Sequence, residues 1–161
     1  MAARKKTSVH PKDVSWKFGV FSELSLQEYH EILRLRGEVY VSTAQKPFHD
    51  VDGLDPEALH LCARVDGKLV GYTRILPYSA KEEAVISRIA VAAPYQKTDL
   101  AQQLLHRALD GVEILYEPRL IRVGAPEGSK TLYEHLGFRP DGTGYLEAGV
   151  PHISMLRLAE S

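Results

Sequence analysis

Two runs with a period of two, LHLCARV (59–65) and KLVGYTRIL (68–76), are separated only by Asp66-Gly67. An Asp-Gly pair readily adopts the positive backbone angles of a two-residue turn, so this stretch folds back as an antiparallel hairpin. A third β-prone run, AVISRIAV (84–91), follows the charged turn AKEE (80–83). The period then changes. After Pro94, residues Leu100, Leu104, Leu105, Ala108, Leu109 and Val112 form one apolar stripe at helical spacing. Three strands leading into an amphipathic helix must bury one face of a sheet against that helix.

The flanking sequence extends the pattern. WKFGVF (16–21) is short, aromatic and β-prone. SLQEYHEILRLRGEVYV (25–41) reads as a helix, with Ser25 and Glu28 spaced for a capping box. Leu26, Tyr29, Leu33, Arg36 and Tyr40 fall near one face, beside Ile32 and Val39. PFHDVDGLDPEA (47–58) is a loop by its Pro, Gly and Asp content. RLIRVGA (119–125) reads as a strand. SKTLYEHLGF (129–138) is a short helix ended by Gly137. GTGYLEAG (142–149) and HISMLRL (152–158) close the chain as strands. The order β-α-loop-β-β-β-α-β-α-β-β specifies an α+β layered domain over residues 15–161, with residues 1–14 as a basic flexible tail.

Composition excludes several classes. With 44% hydrophobic and 25% charged residues among 161, the chain suits one globular domain. No apolar run approaches the roughly 20 residues of a membrane span, and no membrane partner is expected. The basic start lacks the apolar stretch of a secretory signal. Cys62 alone cannot form an intrachain disulfide, and no histidine spacing suggests a metal. A cytoplasmic protein follows as the default. The net charge of -1 gives no general attraction to nucleic acid. Arg4, Lys5, Lys6 and Lys12 nevertheless make the tail basic.

Seven pieces, in order, carry a resemblance over nearly all of the chain after residue 15. They are LRGEVYV (35–41), DVDGLD (50–55), His60-Leu61, RILP (74–77), ISRIAV (86–91), LYEHLGF (132–138) and YLEAGVPHISM (145–155). Together they resemble the GNAT superfamily of N-acetyltransferases, and within it the ElaA-like subgroup. The resemblance implies a central mixed sheet of six or seven strands flanked by helices. It implies that the fourth and fifth strands splay apart and that acetyl-CoA lies in the gap. Ile89, Ala90 and Val91 match the strand positions that bind the pantetheine arm and polarise the thioester carbonyl.

The phosphate loop departs from the family pattern. It reads Gln96-Lys97-Thr98-Asp99-Leu100-Ala101, where Gln96 and Ala101 fit the ends. Lys97 and Asp99 stand where glycines are usual. Glycine lets backbone amides approach a phosphate, and a helix N-terminus favours an anion. Asp99 brings a carboxylate there and is suited to cap the helix itself, which predicts weakened CoA binding. Thr43 stands where the subgroup carries a glutamate, and Arg122-Val123-Gly124-Ala125-Pro126 lacks an expected glutamine-like position.

The resemblance supplies site candidates. Tyr133 matches a tyrosine that many members use as general acid. His60, Glu147 and His152 are candidate bases, a histidine being suited to neutral pH. Arg74 and Arg88, on adjacent strands, either fork a substrate carboxylate or pair internally with Asp52 and Asp55. Tyr145 is a third substrate-side candidate. Two functions of different class remain. One is direct acetyl transfer from acetyl-CoA to a small-molecule or peptide amine in a ternary complex. The other is a non-catalytic interaction or ligand-binding domain with impaired CoA binding. Acyl-homoserine-lactone synthesis, which shares the fold, is disfavoured by the short chain. A homodimer is compatible with the sequence.

Overall fold

The computed structural model describes residues 7–78 and 82–159. Arg4, Lys5 and Lys6 of the basic tail, and Ala80 and Lys81 of the charged turn, lie outside the described residues. The strands are β1 (Ser15–Val20), β2 (Leu59–Val65), β3 (Lys68–Tyr78), β4 (Glu83–Val91), β5 (Leu120–Pro126), β6 (Arg139–Glu147) and β7 (Val150–Leu158). The helices are α1 (Leu26–Arg36), α2 (Leu100–Tyr116) and α3 (Lys130–His135). All seven strands join one sheet in the order β1-β2-β3-β4-β5-β7-β6. Every pairing is antiparallel except β4 with β5. The expected mixed α+β sheet and element order are therefore present. No helix among the described residues is long and apolar enough to cross a membrane.

Two cores sandwich the sheet. The leucine stripe of α2 buries against residues such as Leu61, Ile75, Ile86, Ile121 and Val123. On the other side, Ile32 and Leu35 of α1 pack on Cys62, Tyr72 and Ala90. The capping box forms: Glu28 N–H donates to Ser25 Oγ at 3.0 Å, and Ser25 N–H donates to Glu28 Oε1 at 3.1 Å. Leu26, expected on the buried face, is instead 91% exposed in the first turn, and Leu35 is buried. The helix then widens over Gly37–Val41, with Ser42 N–H bonded to Gly37 C=O.

The β4–β5 junction positions the site. Their parallel pairing runs only from Glu83↔Leu120 to Ile86↔Val123. Beyond it β4 carries an extra residue relative to β3, since Arg74 faces Ser87 while Tyr72 faces Ala90. Arg88 takes up this bulge with φ +54, a conformation uncommon for a non-glycine residue. β5 meanwhile continues along β7 as far as Pro126↔His152. The two strands consequently diverge.

Residues 7–14, grouped with the flexible tail by their sequence, are held against the domain. Thr7 bridges Thr98 in parallel. Val9 packs on the core, and Val14 is 7% exposed. Apolar side chains and a hydrogen-bonding acceptor at Asp99 anchor this stretch, neither of which its basic composition signalled.

Candidate active site

The divergence opens a cleft of about 620 Å³. One wall is β4 from Val85 to Val91; the other comprises Arg122–Gly124, Pro126, Leu132 and Tyr133. Ala92 N–H bonds Val70 C=O, so alternate residues of β4 face β3. Strand alternation then turns the backbone of Ile89 and Val91 to the open edge. Their carbonyls confirm the direction: the Tyr40 hydroxyl donates to Ile89 C=O, and Gln96 Nε2 donates to Val91 C=O at 3.1 Å. The Ile89 and Val91 amides therefore face the cleft. Ala90 does not; its backbone belongs to the β3 ladder and its side chain to the α1 core.

The mouth is built by the β6–β7 hairpin. Ala148 (φ 52) and Gly149 (φ 81) make its two-residue turn. Tyr145 and His152 are directly opposite, and Glu147, two residues on from Tyr145, shares their face. The Tyr145 and His152 rings stack at 5.8 Å. His152 is 7% exposed, with Nδ1 2.8 Å from Val150 C=O and Nε2 3.2 Å from Glu147. A carbonyl can only accept, so Nδ1 carries a proton, and Nε2 is the nitrogen turned toward the Glu147 carboxylate. The Tyr145 hydroxyl lies over Gly124, where any β-carbon would overlap it. Tyr133 lines the same cleft and is 4% exposed. Burial raises its phenol well above the ordinary value, which keeps the proton on oxygen.

Other candidates lie elsewhere. His60 is fully buried outside the cleft, with Nε2 2.9 Å from Asp55 C=O and Nδ1 2.7 Å from the Tyr72 hydroxyl. Burial lowers its pKa, and both nitrogens are engaged. It is a neutral strut rather than a base facing substrate. Arg74, 2% exposed, makes a bidentate pair with Asp52 at 2.7 and 2.8 Å and reaches Asp55 at 3.0 Å. It is not a substrate fork. Arg88 lines the cleft but also pairs internally, with Asp50 at 3.0 Å and Asp52 at 3.3 Å, and lies over the Phe48 ring. Arg36 completes the cluster through Asp50 and Asp55. Three arginines thus balance three aspartates, pinning the 48–55 loop and the β4 bulge to α1.

The loop expected to meet phosphates contributes its two ends to the cleft, Gln96 and Ala101. Lys97 is exposed, and Leu100 is a core residue. The expectation that Asp99 caps α2 is corrected: its side chain makes no cap hydrogen bond. It accepts instead from Val9 N–H (2.7 Å), Ser8 Oγ (3.0 Å) and Gln103 Nε2 (3.0 Å). Thr98 Oγ1 accepts from Leu100 N–H at 3.2 Å. Burial raises the Asp99 pKa, but these donors outweigh it and hold the carboxyl below its ordinary value. Thr43, at the missing glutamate's place, donates to Val39 C=O. The role of Tyr40 has no sequence signal, because a regular helical pattern conceals the wide turn that carries it.

Comparison with known proteins agrees with this arrangement. A sequence model described as Acetyltransferase (GNAT) domain matches residues 36–158. Protein ElaA of Escherichia coli is 31% identical over 147 residues, covering 89% of this chain and 96% of that protein. Its crystal structure superposes with a TM-score of 0.83. An acyl-CoA N-acyltransferase from Pseudomonas aeruginosa is 33% identical with a TM-score of 0.84, covering 89% of this chain and 99% of that one. A GNAT family acetyltransferase from Elizabethkingia anophelis with acetyl-CoA bound shares the fold at 16% identity and a TM-score of 0.68, covering 91% of this chain and 98% of that one. With its splayed strands, bulged β4 and matched sequence, the chain belongs to the GNAT acetyltransferase family.

Proposed function

We propose that the protein transfers an acetyl group from acetyl-CoA to a primary amine within one ternary complex. The observation that carries this reading is that the open-edge amides of β4 and the Glu147–His152 pair face the same cleft. When bound, acetyl-CoA supplies an activated acyl carbon and a sulfur leaving group. The residues present fit such a donor. Ile89 and Val91 offer N–H groups to a pantetheine arm and a thioester carbonyl. Gln96, Lys97 and the amides opening α2 offer donors and positive charge to phosphates.

Proton handling divides between two groups that line the cleft. An amine arrives protonated at neutral pH and must lose a proton before attack. His152 Nε2 takes it, with the Glu147 carboxylate 3.2 Å away to stabilise the imidazolium. Tyr133, its proton held on oxygen, donates to the departing sulfur. Glu147 also favours an ammonium group at the mouth over an anionic one. A second reading, a binding module without catalysis, draws on one observation: the Asp99 N–H is already bonded to Thr7 C=O at 3.1 Å.

The test is an assay of the purified full chain with acetyl-CoA and a panel of alkyl amines and lysine peptides, read by mass spectrometry. An acetylated amine is expected, with Glu147→Gln lowering kcat/KM by about tenfold. Acetyl-CoA binding without acetylation of any amine would favour the module.

A further inference from the structure

The stretch from Thr7 to Val9 and the loop at Thr98–Asp99 form a closed hydrogen-bonded clasp. Asp99 N–H donates to Thr7 C=O at 3.1 Å. The Asp99 carboxylate receives Val9 N–H and Ser8 Oγ in return. Gln103 Nε2 ties the two sides together, donating to Asp99 Oδ1 at 3.0 Å and to Val9 C=O at 2.9 Å. The residue that breaks the glycine pattern of the loop is thus the one that holds the segment in place.

We infer that residues 7–9 act as an intramolecular competitor for the donor's phosphates at this loop, with Asp99 as the latch. This rests on the proposed reading of the loop as the donor-phosphate site. The clasp opposes an anion in two ways. It removes the Asp99 amide from the donors the loop can present, and it brings the Thr7 carbonyl oxygen to the same place. Asp99 adds a negative charge, which the clasp holds beside the loop. A phosphate competing for that amide offers a stronger, charge-assisted acceptor than a carbonyl. The clasp consists of a few hydrogen bonds at a partly exposed edge, a class of contact that opens locally at small free-energy cost. Donor binding and segment release are then coupled: whatever holds residues 7–9 down weakens the donor, and whatever lifts them strengthens it.

The experiment compares the full chain with Ser8→Ala/Val9→Pro, which removes two donors to Asp99 and leaves the loop sequence unchanged. Calorimetric titrations use acetyl-CoA and S-acetylpantetheine, which lacks the phosphates. The double variant should bind acetyl-CoA about tenfold more tightly, the scale of one charge-assisted hydrogen bond, and bind S-acetylpantetheine unchanged. In the unaltered chain, hydrogen exchange at the Val9 amide should accelerate when acetyl-CoA is added. This second measurement needs no variant. Unchanged or weaker acetyl-CoA binding by the variant, with Val9 still protected in the acetyl-CoA complex, would overturn the clasp and leave the donor cleft standing. Failure of both thioesters to bind either protein would overturn the donor cleft and the clasp with it.

Discussion

Asp55→Ala is expected to lower the unfolding free energy by about 3–5 kcal/mol, the usual cost of removing one partner from a buried ion network. Asp55 is 1% exposed and accepts from Arg36 at 2.9 Å, Arg74 at 3.0 Å and the Tyr29 hydroxyl at 2.7 Å. Removing it leaves two buried guanidinium groups short of an acceptor, each with little access to water. Urea unfolding measures the loss. The exposed pair Lys17–Glu28 is the control, and Lys17→Ala should cost less than about 1 kcal/mol. A loss below about 1 kcal/mol for Asp55→Ala would show that the network is relaxed by solvent.

The same network sets an acid limit. Arg74 holds the Asp52 carboxyl well below its ordinary value. Burial pushes Asp55 up, but its bonds to Tyr29, Arg36 and Arg74 outweigh this and leave it lowered. A carboxyl lowered in the folded state contributes stability that is full above its unfolded pKa. That contribution is lost as pH falls through the ordinary carboxylate range and below it.

Tyr133→Phe is expected to reduce turnover by roughly 10²-fold, the scale of a missing general acid. Acetyl-CoA affinity should change little, because the ring still packs at 5.9 Å from Phe138 and only the hydroxyl is lost. Pre-steady-state kinetics with the best amine separates this effect from binding. Equal turnover in the variant would leave Tyr133 as a packing residue. A parallel loss of affinity and stability would also argue for packing.

Sheet pairings set by neighbouring residues were legible in the sequence. Asp66 (φ 50) and Gly67 (φ 76) adopt the turn that their pairing required. The β6–β7 turn was less legible: the strand expected over 142–149 ends at Glu147, and Ala148-Gly149 make the turn that sets Tyr145 opposite His152. Side-chain partners distant in sequence were not legible. His60 and His152 have equal claims as bases until the fold encloses one and opens a cleft beside the other. Arg74 and Arg88 left two partners open, a substrate or an aspartate, and the 48–55 loop decides for the aspartates. Asp99 has the sequence signature of a helix cap because its competing donors, Ser8 and Val9, lie 91 and 90 residues away. Tyr40 depended on the wide turn after α1, for which Gly37 gives no distinctive signal.

The proposed function requires the gap between β4 and β5 to receive the acyl donor along the open edge of β4. Backbone amide NMR during titration with acetyl-CoA tests it most directly. Saturable shifts are expected at the Ile89 and Val91 amides and at Gln96–Ala101, with the β2 residues Cys62 and Ala63 unmoved. Saturable binding that shifts other surfaces and leaves Ile89 and Val91 unchanged would contradict it, as would no shift at millimolar acetyl-CoA.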